Sequence, residues 1–116
     1  MKDERDYAEH VLECIEAIQA YTNEGRTTLD DGKTQDAVIR RLQVMAESTL
    51  RLSDARKDAH PQVGWHHIRN FRNRLVHEYL GVDIEIVWGI IQHNLPALKI
   101  AIEAMLRQLD ENEGEA

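Results

Sequence analysis

Apolar residues return every three or four positions along almost the whole of this 116-residue chain, a spacing that fits one face of an α-helix and not the alternation of a β-strand. From about Asp3 to Asn23 the stripe is Tyr7, Val11, Ile15 and Ile18, with Ala8, Leu12 and Tyr21 beside it, and Gly25 supplies the stop. The polar stretch Gly25 to Lys33 reads as a loop, with Thr34 placed to cap the next helix. That helix is expected from about Gln35 to Asp58, turning Val38, Leu42, Met45, Ala46, Thr49 and Leu52 inward and ending ahead of Pro61. A third runs from near Val63 to about Glu78 with Ile68, Phe71, Leu75 and Val76 inward, and Gly81 lies beyond it. Asp83 caps a fourth segment, Ile84 to Leu109, which Asn94-Leu95-Pro96 must kink or split.

A chain of this length builds one core and not two. With two tryptophans, three tyrosines and one phenylalanine, and only six glycines and two prolines, it lacks the aromatic and turn residues of a sandwich or barrel. The expected fold is therefore all-α: an antiparallel four-helix bundle with a kinked or split last helix, residues 1–109 forming a single helical domain and residues 110–116 an acidic tail. Ile84, Ile86, Val87, Trp88, Ile90 and Ile91 cover more than one face of the last segment, a surplus that a second copy of the chain would bury as a homodimer.

The formal charge of −7 argues against broad binding to nucleic acid through many phosphate contacts. The distribution is uneven: residues 1–31 carry −6 and residues 83–116 carry −5, whereas residues 32–60 and 61–82 carry +2 each. An anionic ligand should meet the middle of the chain. The charged start, Met1 to Asp6, lacks the apolar core of a signal peptide, and the longest apolar run, Ile86 to Ile91, falls far short of the roughly 20 residues that span a bilayer. No membrane association is expected. Cys14, the single cysteine, permits no intrachain disulfide and fits a reducing cytoplasmic setting, where it reads as a small buried hydrophobe. His10, His60 and His93 are scattered, and no metal or cofactor constellation is expected.

The chemistry is concentrated in residues 65–79, Trp-His-His-Ile-Arg-Asn-Phe-Arg-Asn-Arg-Leu-Val-His-Glu-Tyr, which hold three of the six histidines, three arginines and one acid. Histidine moves protons near neutral pH, and arginine grips a phosphate in a planar fork without losing its charge. RNA strand cleavage without a metal needs a base for the 2'-hydroxyl, an acid for the 5'-oxygen and cations around the phosphorus. The plain alternative is a solvated helix face. At about 100° per residue, Arg69, Asn73 and His77 share one stripe, while Arg72 lies about 140° from His77. The wheel thus pairs Arg69 with His77, although the long Arg72 side chain, or a symmetry-related helix, can bring Arg72 to the same place. His66 and His67 could line an RNA path and Trp65 and Trp88 could stack on bases, but solvated side chains are the simpler reading of the histidines, and core or dimer packing the simpler reading of the tryptophans.

The string Arg72-Asn73-Arg74-Leu75-Val76-His77-Glu78-Tyr79 has the pattern Arg-x4-His-x-Tyr and, with Phe71 before it and Val82-Asp83, Val87-Trp88 and Leu95-Pro96 after it, resembles the HepT-like toxins of the HEPN ribonuclease superfamily over most of the chain. The resemblance implies a metal-independent endoribonuclease, the toxin of a prokaryotic toxin–antitoxin pair, working as a homodimer with the motifs of two subunits facing a shared basic cleft. It implies Arg72 and His77 as the catalytic pair and Asn73 as an orienting residue, leaving Arg69 as an RNA contact. It also implies Tyr79 as the acceptor of adenylyl groups from an MNT-type nucleotidyltransferase antitoxin. The alternative is a non-catalytic HEPN-type module that binds a nucleotidyltransferase or a nucleotide.

Overall fold

The computed structural model describes the backbone of residues 3–77 and 82–115, and the side chains up to residue 75 and from 82 to 112. Among these residues all regular structure is helical: α1 (Glu4–Tyr21), a 3-10 turn (Arg26–Asp30), α2 (Gly32–Thr49), α3 (Asp54–Asp58), α4 (Trp65–His77), α5 (Ile84–His93) and α6 (Leu95–Glu115).

Helix α1 starts where Asp3 accepts the Asp6 N–H at 3.1 Å and Asp6 accepts the Asp3 N–H at 3.2 Å, so two backbone donors that the helix cannot satisfy find carboxylates. Its buried stripe is Ala8, Val11, Cys14, Ile15 and Ile18. It ends at Thr22, whose hydroxyl donates to the Ile18 carbonyl at 2.8 Å. Gly25 then reverses the chain at φ +97°, a backbone angle that a side chain would strain.

Two features of the next stretch depart from the sequence reading. The expected loop contains the 3-10 turn, which buries Leu29 completely and is tied to α2 by the Gln35 amide donating to the Leu29 carbonyl at 3.1 Å. The cap of α2 is Asp31 rather than Thr34. Its carboxylate accepts both the Thr34 N–H and the Thr34 hydroxyl, at 3.0 and 2.9 Å, and a carboxylate at the positive end of a helix outcompetes a hydroxyl. Helix α2 also stops at Thr49 instead of reaching Asp58. The Thr49 hydroxyl bonds the Ala46 carbonyl at 2.7 Å, Leu52 turns into the core, and Ser53 restarts the chain by accepting the Arg56 N–H at 3.3 Å.

The last helical segment splits at Asn94 into α5 and α6, with Asp83 capping α5 by accepting the Glu85 N–H at 2.9 Å. Pro96 sits in the first turn of α6, where a missing N–H leaves no bond unmade. Helix α6 continues past Leu109, and Asp110 there meets Arg5 at 2.5 Å.

That contact joins the start of α1 to the end of α6, and Glu4 joins the start of α1 to Ser53 and Arg56 beyond the end of α2, so α1 runs antiparallel to both neighbours. Helix α2 carries α4 on its other side. The shared interior holds Ile15, Ile18, Leu42, Met45, Leu98, Ile102 and Met105, all shut from solvent, with Ile68, Phe71 and Leu75 closing it from α4. No helix of the described residues is long and apolar enough to cross a membrane.

Candidate functional site on helix α4

Spacing divides α4 into two faces. Ile68, Phe71 and Leu75 face the core, while His66, His67, Arg69, Asn70, Asn73 and Arg74 are exposed. Arg72 lies at the boundary, its side chain 31% exposed. One terminal nitrogen of its guanidinium donates to the Asn73 side-chain oxygen at 3.2 Å, and the other stands 3.7 Å from the Glu47 carboxylate on α2. Its Nε is buried and has no hydrogen-bond partner among the described residues. A guanidinium has five N–H donors in a rigid fork, so Arg72 is oriented from two sides and keeps donors unspent. The Glu47 contact is too loose and too wet to be worth more than about 1 kcal/mol, so an incoming phosphate can displace it.

Arg69 and Asn73 share the exposed stripe that the wheel assigns them, but the two arginines face different surroundings. Arg69 lines a cleft of about 360 Å³ between the end of α2, α3 and the start of α4, together with Lys57, Trp65 and His66. Arg72 instead reaches across to Glu47, which borders a second cleft of about 300 Å³ containing Tyr7, His10, Ser48 and Arg51. His77 closes α4, but its side chain lies outside the described residues, as does Tyr79 entirely. The pairing of Arg72 with His77 therefore has one partner in view.

Trp65 packs partly against the core, and its indole N–H donates to the carbonyls of Lys57 and His60 at 3.0 and 3.2 Å. His66 and His67 stack as a tilted pair with ring centroids 3.9 Å apart. The His67 ring lies so close to Gly64 that a Cβ there would come within 2.7 Å of it. His10, which the sequence left isolated, has one ring nitrogen 2.7 Å from the Ser48 hydroxyl and the other 3.6 Å from the Cys14 sulfur. Burial pushes the Cys14 thiol above its ordinary value, with the Arg41 guanidinium opposing, so this sulfur stays protonated as the core residue expected of it. No group of three or more His, Cys, Asp or Glu gathers among the described residues in a way that could hold a metal ion.

Sequence reasoning missed Glu47 and Lys57, which lie 25 and 12 positions from the arginines they approach. One signal was present for Glu47: it is the lone acid between Asp36 and Asp54, among Arg40, Arg41 and Arg51.

Comparison with known proteins places this geometry in context. The Ribonuclease HepT-like family model matches residues 11–105. The chain is 34% identical over 106 residues to the "Probable ribonuclease HepT" of Thermococcus cleftensis, covering 90% of this chain and 96% of that protein. It is 34% identical over 111 residues to a "Putative RNase" of Methanocaldococcus jannaschii, covering 94% and 92%. In the same organism it is 34% identical to the "Gamma-glutamylcyclotransferase and putative RNase" protein, where it spans 96% of itself but only 51% of that longer chain. No solved structure matches. A family match from residue 11 to residue 105, joined to a relative at 34% identity over nine-tenths of the chain, makes this protein a member of the Ribonuclease HepT-like family.

Proposed function

We propose that this protein is a metal-independent endoribonuclease, acting in the cytoplasm as a homodimer and as the toxin of a two-component system. The observation that carries the reading is the state of Arg72: a part-exposed guanidinium turned by Asn73 and by a loose 3.7 Å contact with Glu47, on the helix that also bears His77. Family membership and the ribonuclease descriptions of the relatives support it.

In this reading two copies of α4 face one another across the dimer and present two arginines and two imidazoles to one strand. His77 of one subunit takes the proton of a ribose 2'-hydroxyl while that oxygen bonds to the adjacent phosphorus. The bond from phosphorus to the 5'-oxygen breaks, and the leaving oxygen takes a proton from the second imidazole. The products are a 2',3'-cyclic phosphate and a 5'-hydroxyl. Arg72 stabilises the negative charge that builds on the equatorial oxygens, and Asn73 keeps the fork aimed.

Control of this activity falls to Tyr79. An MNT-type nucleotidyltransferase transfers AMP from ATP to its phenol oxygen, releasing pyrophosphate, and the added charge and bulk keep RNA from the cleft. Purified protein should cut single-stranded RNA in EDTA and leave cyclic phosphate ends, read by mass spectrometry of the fragments. Intact RNA would instead favour the non-catalytic binding module. With the nucleotidyltransferase and ATP, the protein should gain the mass of AMP; equal gain by Tyr79→Phe would move the acceptor elsewhere.

A further inference from the structure

The cleft beside Arg69 has a make-up that the catalytic motif does not explain. Its basic side chains come from two elements, Lys57 on α3 and His66 and Arg69 on α4, and its apolar surface from Leu50, Val63 and Trp65. Among the described residues, Leu50 is one of four large hydrophobic side chains left exposed, at 37%. The Trp65 ring is fixed by its N–H bonds to two carbonyls, and the Lys57 ammonium stands 5.9 Å from the ring centroid, at the outer edge of a cation–π contact. Burial lowers the Lys57 pKa; Asp54 acts against this, and Arg69 adds a like-charge push in the same direction as burial. An anion seated between Lys57 and Arg69 relieves that repulsion. Asp54 and Asp58 also line the cleft, so a bare phosphate meets opposing charge. A ligand that brings a flat, amine-bearing ring along with one phosphate suits both halves. Arg69 precedes Arg72 by three residues, about 4.5 Å along the helix axis, so one strand can touch both.

We infer that this cleft is a nucleotide subsite for the RNA strand, taking the residue that flanks the cleaved phosphate: its phosphate between Lys57, His66 and Arg69, its base against the apolar wall of Trp65 and Leu50. The inference rests on the ribonuclease reading and deepens it, because the subsite sets where along the strand the scissile bond lies. Aromatic stacking with a basic groove is how single strands are held without reading sequence.

The test uses full-length protein carrying His77→Ala to stop cleavage and Trp88→Phe to leave Trp65 as the sole tryptophan reporter. A short single-stranded oligoribonucleotide should quench Trp65 emission, and the same oligonucleotide made abasic should bind more weakly and quench little. Arg69→Ala and Lys57→Met, assayed separately by fluorescence anisotropy on labelled RNA, should each weaken binding by roughly tenfold, and Arg69→Ala should lower the salt slope by about one. Unchanged affinity in both variants, or RNA binding that leaves Trp65 emission unaltered, overturns the subsite, as does free AMP binding as tightly as the oligonucleotide. The two readings fail separately. Wild-type protein that cuts RNA while Trp65 is silent keeps the ribonuclease and loses the subsite; quenching by RNA that wild-type protein never cuts does the reverse.

Discussion

Helices α1 and α4 are both amphipathic, yet they use their outer faces in opposite ways. On α1 several polar side chains are committed to neighbours: Glu4 to Ser53 and Arg56, Arg5 to Asp110, and His10 to Ser48 and Cys14. On α4 the exposed face carries imidazoles and guanidiniums, and Arg72 at its boundary is held by Asn73 and a loose contact with Glu47. These groups of the first helix tie it to the rest of the fold. The second gathers basic side chains on one open face, a local surface that favours an anion on a 116-residue chain whose total charge is acidic.

That division predicts that substitutions in the two helices separate stability from activity. The largest effect on stability belongs to the α1 core: Ile15→Ala, at a fully buried position, should cost about 2–5 kcal/mol in urea unfolding. A smaller one belongs to Glu4. Burial alone would raise its pKa, but the Ser53 N–H at 2.5 Å and the Arg56 guanidinium at 2.9 Å hold it below its ordinary 4.5. Because the folded value is the lower one, the stabilisation is present above pH 4.5 and fades as pH falls through the folded value. Glu4→Gln should therefore cost about 1 kcal/mol at neutral pH, and its urea midpoint should converge on that of the wild type in acid. On the α4 side, Glu47→Gln should change stability by no more than about 1 kcal/mol while slowing cleavage by up to about fivefold as Arg72 loses one of its two guides. Asn73→Ala, at an exposed position, should leave the midpoint within about 0.5 kcal/mol, so that any loss of cleavage reports the guanidinium's aim rather than the fold.

Much of this architecture was legible in the sequence. The stripes of α1, α2 and α4 follow from a period near 3.6, and the split at Asn94 follows from what proline does to a helical ladder. The end of α2 was not legible, because Thr49 and Ser53 are tolerated within helices and act as breaks only when their hydroxyls find backbone partners. Leu29 sat in a stretch too polar to suggest burial, and its place depends on the Gln35 amide reaching back to it. In the site, residue types pointed to α4, and the helical wheel placed Arg69 and Asn73 on its open face. The wheel could not show Glu47 or Lys57 approaching from α2 and α3, because those contacts are set by how helices distant in sequence come to lie side by side. His77 and Tyr79, by contrast, are read from the motif Arg-x4-His-x-Tyr itself.

The most direct test takes cleavage and unfolding from the same samples of Arg72→Ala and His77→Ala. Both variants should lose cutting of single-stranded RNA in EDTA by about a hundredfold or more, with urea midpoints matching the wild type. Cutting that survives in both, or that disappears only in step with the fold, would contradict the assignment of chemistry to α4.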